Sequence, residues 1–189
     1  MVHSADIVTH LNSEQLDAGL DHIRQSPADS GQLLMIVRRP DIDQREVLAD
    51  GALDVDVGLV GDTWMDRGSA STPDGSSNPE AQITIINSRA LDLMARSEDR
   101  WQLSGDQLVV DMDITMENLP TGTQLSIGSA VVEISEKPHT GCVKFADRFG
   151  NDALRFVSTP LGRDLRLRGV NTRVVQSGTI RKGDTVAKV

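Results

Sequence analysis

Cys142 is the only cysteine of the chain. It stands in EKPHTGCVKFADRFGNDALRF, residues 136–156, with His139 before it and Lys144 and Arg148 after it. A lone cysteine is most often a small buried hydrophobe. Here the approach through Pro138, His139, Thr140 and Gly141 is polar and tight. If CVKFADRF is a short helix, Cys142 lies at its N-terminal end, and nearby cations or the positive end of a helix favour the thiolate. A thiolate attacks electrophiles, carries a persulfide or binds a soft metal. His139 is a candidate general base for it, provided the turn at Gly141 bends the chain, because residues three apart on an extended strand face opposite ways. The alternative for His139 is a structural or ligand-contacting hydrogen bond. One Cys and one His do not complete a zinc site. A metal that takes most of its ligands from a cofactor remains open.

A second candidate is electrostatic. Between Arg163 and Lys182 stand Arg166, Arg168, Arg173 and Arg181 as well, with Asp164 the one acidic residue, in a chain of net charge −9. Such asymmetry is either solvated strand faces or an anion pocket in which arginines fork onto phosphate. Alternation in LRLRG, residues 165–169, predicts Arg166 and Arg168 on one face of a strand, and Asn171 with Arg173 if the strand continues. Three Gly-Asp pairs, at 61–62, 105–106 and 183–184, read as turns. No Walker loop, dinucleotide fingerprint, HExxH or GxSxG occurs.

The elements that must carry these residues read as mainly β. LLMIV (33–37) and QITIINS (82–88) have strand composition. QLVVDMDITM is apolar at 108, 110, 112, 114 and 116, the period of a strand with one buried face. Gly122 and Gly128 punctuate strands at 124–127 and 130–135. SRALDLMARSEDRW predicts a helix capped by Ser88, and Leu11, Leu16, Leu20 and Ile23 predict another, capped by Asn12 or Ser13 and ending near Ser26-Pro27. RGSASTPDGSSNPE, residues 67–80, predicts an exposed loop, mobile or serving as a lid. Many short strands cut by glycines predict a β-barrel with a few helices. The expected organisation is a helical appendage over 1–29 and a single domain over 30–189.

Composition narrows the function. Negative charge and 3% aromatic residues oppose nucleic-acid binding, which needs phosphate-neutralising charge and stacking surfaces. No apolar run approaches the roughly 20 residues of a membrane helix. MVHSADIVTH lacks the basic and apolar regions of a secretory leader, so a cytoplasmic protein with a reduced thiol is expected.

The order GLVGDTW (58–64), QITIINSRALDLM (82–94), GDQLVVDMDITMENLPTGTQLSIGSAVVEIS (105–135), HTGCVKF with RFG (139–150) and RGVNTRVVQSGTIRKGDTV (168–186) resembles the MOSC domain, found at the C-terminus of molybdenum cofactor sulfurases and as small stand-alone bacterial proteins. The likeness covers roughly residues 30–189. It implies a barrel-like β fold and makes Cys142 the family cysteine, proposed to carry sulfur or to coordinate molybdenum of the anionic pterin cofactor. By the same resemblance Thr140 and Asn118 face the cofactor and Arg168, Asn171 and Arg173 bind its anionic group; Lys144 and Arg148, the cations close to Cys142 in sequence, join the expected cofactor-binding set. The context HTGC departs from the proline-cysteine setting common in the family. Pyridoxal phosphate would be only an inherited label, since the aminotransferase-like domain of full sulfurases is missing and no lysine can be assigned to it. Three functions follow as expectations: a molybdenum cofactor-dependent oxidoreductase acting on N-hydroxylated compounds with a separate electron-donor protein, a sulfur carrier or sulfurtransferase working through a Cys142 persulfide with a donor or acceptor protein, and a non-enzymatic barrel binding an anionic small molecule.

Overall fold

The computed structural model describes residues 9–189; residues 1–8, part of the stretch read for a leader, lie outside the described residues. Helix α1 (Ser13–Ala18) begins where the sequence predicts: Asn12 accepts from the Gln15 amide while the Gln15 side chain accepts from the Asn12 amide, a reciprocal cap. Helix α2 (Leu20–Arg24) follows directly. The chain then forms β1 (Ser30–Arg38), β2 (Glu46–Leu48), β3 (Asp50–Asp54), β4 (Gly58–Leu59), α3 (Trp64–Arg67), β5 (Ile83–Asn87), α4 (Ser88–Ala95) and β6 (Leu108–Asp111). After these come β7 (Gln124–Ile127), β8 (Ala130–Ile134), α5 (Val143–Phe149), α6 (Asn151–Ser158), α7 (Pro160–Asp164), β9 (Val170–Gln176), β10 (Gly178–Arg181) and β11 (Thr185–Lys188).

Seven strands close on themselves in the order β1, β11, β7, β8, β9, β5, β6 and back to β1. Every pairing in the ring is antiparallel except β5 with β6, which are joined through α4 as a parallel pair requires. Closure leaves those strands no free edge. Strand β2 extends β1, and β10, β3 and β4 form a separate small sheet.

Two hydrophobic layers hold this single domain together. Leu33, Ile36, Ile83, Ile85, Leu108 and Val110 fill the barrel interior. Met35, Val37, Ile86 and Val109 point outward from the same strands and are covered by helical residues including Leu16, Leu91, Phe145 and Phe149. Strands buried on both faces lose the clean alternation of a one-sided sheet, which is why all five residues of β5 are buried. In β1, Leu33 and Ile36 both face inward although three apart. The register shift between Leu33 and Met35 supplies the extra residue.

Three local expectations are corrected. The strand predicted through Met116 stops at Asp111. The Asp113 carboxylate accepts from the Thr115 amide and turns the chain, leaving Met116 53% exposed. Helix α4 is capped by Asn87, whose side chain accepts from the Ala90 amide, and Ser88 is already helical. LRLRG, residues 165–169, is not a strand. Thr159 caps α7 with Pro160 in its first turn, and that start signal outweighs the alternation behind it. The chain then turns through Arg166, whose φ is +48°. Among the described residues, no helix is long and apolar enough to cross a membrane.

Candidate functional site

The polar centre of the molecule lies where the chain enters β6, at Leu103-Ser104-Gly105-Asp106. Three arginines from distant segments donate to three successive carbonyls there. Arg148 Nη1 reaches Leu103 O at 2.8 Å, Arg168 Nη2 reaches Ser104 O at 3.1 Å, and Arg39 Nη1 reaches Gly105 O at 3.1 Å. Gly105, with φ +85°, takes the left-handed conformation that lets these carbonyls splay.

Two of these arginines are neutralised by buried carboxylates. Arg39 Nε and Nη2 grip both oxygens of Asp62 at 2.8 and 2.7 Å, and the Arg39 and Trp64 amides also donate to Asp62. Arg168 Nη1 lies 3.0 and 2.8 Å from the two oxygens of Asp106, which is 0% exposed. His139 Nε2 stands 2.9 Å from the same carboxylate, and the Arg168 guanidinium covers the Phe145 ring at 4.9 Å. Burial alone would raise the pKa of Asp106, but Arg168, with His139 and Ser104, holds it far below the usual carboxylate range. The His139 pKa is lowered, by burial first and then by Arg168, against the opposing pull of Asp106. The imidazole is therefore neutral at neutral pH.

On the other side of this segment the cations are in excess. The pKa values of the half-buried Arg45 and of Arg67, whose side chain reaches the surface, are both lowered, by partial desolvation first. The next cause is repulsion, from Arg148 and Arg39 on Arg45 and from Arg39 on Arg67. Arg45 Nε is buried without a hydrogen-bond partner, and its Nη1 reaches only the neighbouring Gln44 carbonyl. Lys144 and Arg148 approach the exposed Asp43 at 3.1 and 3.7 Å. Arg39, Arg45, Arg67, Arg148 and Lys144 thus share two carboxylates, Asp62 and Asp43. An anion with several charged oxygens satisfies such a cluster.

Cys142 is the N-cap residue of α5 and is exposed, so it is not a core packing residue. Its helix carries Lys144 and Arg148 into the cation cluster. No hydrogen bond joins His139 to Cys142 among the described residues; His139 is turned to Asp106 instead. Thr140 is exposed and lines a cavity of about 540 Å³ together with His139 and Arg168.

The remaining predicted residues disperse. Asn171 is buried and donates to the Lys137 carbonyl, tying down the segment before His139. Arg173 pairs with Glu133 on the outer surface. Asn118 bonds Ala28 O and Asp113 O and accepts from Lys188, so its polar atoms serve the barrel end. The 67–80 loop folds on itself through Ser69, Ser71, Thr72 and Ser76, and Lys137 Nζ bonds Ser71. Among the described residues no three His, Cys, Asp or Glu side chains form a metal-binding group.

Arg39, Arg45, Arg67, Asp62 and Asp106 were not anticipated as site residues. Two of the three Gly-Asp turns carry the buried carboxylates; the third, Asp184, caps its own turn by accepting from the Arg181 amide. The available signal was the Arg38-Arg39 doublet at the end of β1 together with the repeated Gly-Asp pairs.

A closed seven-stranded β-barrel covered by short helices, with arginines gathered around residues 103–106, defines the class of fold. The chain belongs to the MOSC domain family, whose model matches residues 72–187. The fold is similar to that of the YUAD protein from Bacillus subtilis, with TM-score 0.62, 13% identity, and 83% of this chain and 94% of that chain covered. It is also similar to YiiM from Escherichia coli, with TM-score 0.55, 16% identity, and 84% and 69% covered. A comparison with curated protein sequences finds no match.

Proposed function

We propose that the domain binds the pterin-based molybdenum cofactor at the cation cluster, with Cys142 as the protein thiolate on the metal. The observation that carries this reading is the surplus of guanidinium groups at Arg45 and Arg67, one with a buried and unpartnered Nε, beside the helix that Cys142 opens. A buried donor without an acceptor is costly, and the phosphate of an anionic cofactor would relieve that cost. Arg45, Arg67 and Arg148 would hold the anionic end. When bound, the cofactor would supply two-electron chemistry of the kind that reduces N-hydroxylated compounds. The protein's own share would be to orient the group, to supply one thiolate and to exclude water. Electrons would come from a separate protein.

Elemental mass spectrometry of protein made in a host that synthesises the cofactor tests this, with Cys142→Ala and Arg45→Ala alongside. Near one molybdenum per wild-type chain, lost in Cys142→Ala, is the expected result; equal metal content in wild type and Cys142→Ala overturns it. The exposure of Cys142 favours a second reading, a sulfur carrier in which the thiolate takes the outer sulfur of a donor persulfide and the donor thiolate leaves. Absence of a 32-dalton adduct on Cys142 after incubation with a persulfide donor would remove that reading; the mass is about that of one sulfur atom.

A further inference from the structure

We infer that the 540 Å³ cavity beside the Asp106–His139 pair is a second binding site, for a small uncharged organic molecule with a largely apolar body and one N–H or O–H group received by His139 Nδ1. The inference does not need the cofactor reading: Cys142 is not among the residues that line the cavity, although Thr140 and Arg168, which the family resemblance gives to the cofactor, are.

The tautomer of His139 follows from its partner. Asp106 is wholly buried and held through both oxygens by Arg168. An ionised carboxylate only accepts hydrogen bonds. His139 Nε2 must therefore carry the proton it donates across 2.9 Å, and Nδ1 keeps a lone pair. Nδ1 makes no hydrogen bond among the described residues, and it is not one of the buried unpartnered atoms, so it is open to a ligand. The ring is seated firmly. Gly169 takes φ +99°, and a Cβ there would come within 2.5 Å of Ile85 O and 3.3 Å of His139 Cδ2.

The wall decides the rest of the ligand. Met116, Pro138, Val157 and Val170 give an apolar lining. Charges around the cavity nearly cancel. Lys137, Arg163 and Arg166 face Glu136 and Asp164, Arg168 is neutralised by Asp106, and Arg166 is spent on the carbonyls of Ile114 and Leu119. This is the opposite of the cation cluster, and it favours an uncharged guest. At about 540 Å³ the cavity has the size of an ordinary small-molecule site.

The test uses indole, whose N–H donates, and benzofuran, its ring-oxygen counterpart, which cannot. Each is titrated into isotope-labelled, metal-free protein and followed by NMR. Indole is expected to shift the amides of residues 135–140 and 169–170 and to bind about 3- to 10-fold tighter than benzofuran, the worth of one hydrogen bond. His139→Phe is expected to abolish the preference, and Val157→Trp, which fills the cavity, to abolish binding of both. Cys142→Ala is expected to bind indole as wild type does, whatever becomes of its molybdenum, which separates this inference from the cofactor reading. No shifts in the cavity at millimolar indole, equal binding of the two probes by wild type, or imidazole ¹⁵N signals of an Nδ1-protonated ring would each overturn it.

Discussion

The two sides of the Leu103–Asp106 segment are built from the same residue types to opposite ends. On the cavity side, Arg168 is matched by Asp106, His139 is neutral, and the surrounding charges nearly cancel. On the Cys142 side, Arg39 is matched by Asp62, but Arg45, Arg67, Arg148 and Lys144 have only the exposed Asp43 between them. A matched buried pair is scaffold: its charges answer each other and leave nothing for a ligand. An unmatched cluster leaves cationic charge free to meet an anion. The distinction separates arginines that hold the fold from those available to bind, which counting basic residues along the chain does not.

The sharpest way to break the contrast is to remove a matched arginine. Arg168→Ala leaves Asp106 buried without its cation, and a loss of about 3–5 kcal/mol is expected, read by urea unfolding. Arg45→Ala is the converse. It removes an unmatched cation, so stability should hold or rise slightly. Affinity for pyrophosphate, measured by calorimetry at fixed salt, should fall about tenfold or more, in line with the loss of a charge-assisted contact. A result in which both variants lose stability alike would erase the difference between the two sides.

The neutral state of His139 predicts a pH dependence of stability. Its folded pKa lies below the ordinary histidine value of about 6.5. Protons then bind the unfolded chain more readily once pH falls below about 6.5, so the stabilisation is complete above that pH and drains away as pH falls toward the folded value. Asp106, whose pKa is also depressed, adds its own loss at more acid pH. Melting temperature should decline from pH 7 to pH 5, and His139→Phe should flatten that part of the curve; parallel curves would show that His139 is not the group responsible. The smallest effect belongs to Arg173→Ala. Its pair with Glu133 is on the surface, with the Arg173 side chain 47% exposed, and such pairs contribute less than about 1 kcal/mol. Both stability and anion binding should stay near wild type.

Much of the frame is legible along the chain. The strands at 124–127 and 130–134, the cap at Asn12 and the short helix opened by Cys142 follow from alternation, turn glycines and capping chemistry, all acting over a few residues. The family motifs in their order are legible in the same way, and residues 72–187 match the family. The strand through Met116 and the strand over LRLRG fail where a local polar signal, Asp113 or Thr159-Pro160, overrides an alternating period.

The arginine arrangement belongs to the closed barrel instead. Arg39 meets Asp62 across 23 positions, His139 meets Asp106 across 33, and Arg168 meets Asp106 across 62. Nothing in the local chemistry of a Gly-Asp turn says which arginine will find it. Sequence by itself determined the elements, the exposed thiol at a helix start and the excess of basic residues near the C-terminus. Only closure of the sheet decided which charges are buried together, because electrostatic pairing depends on distance and burial in space, not on separation along the chain.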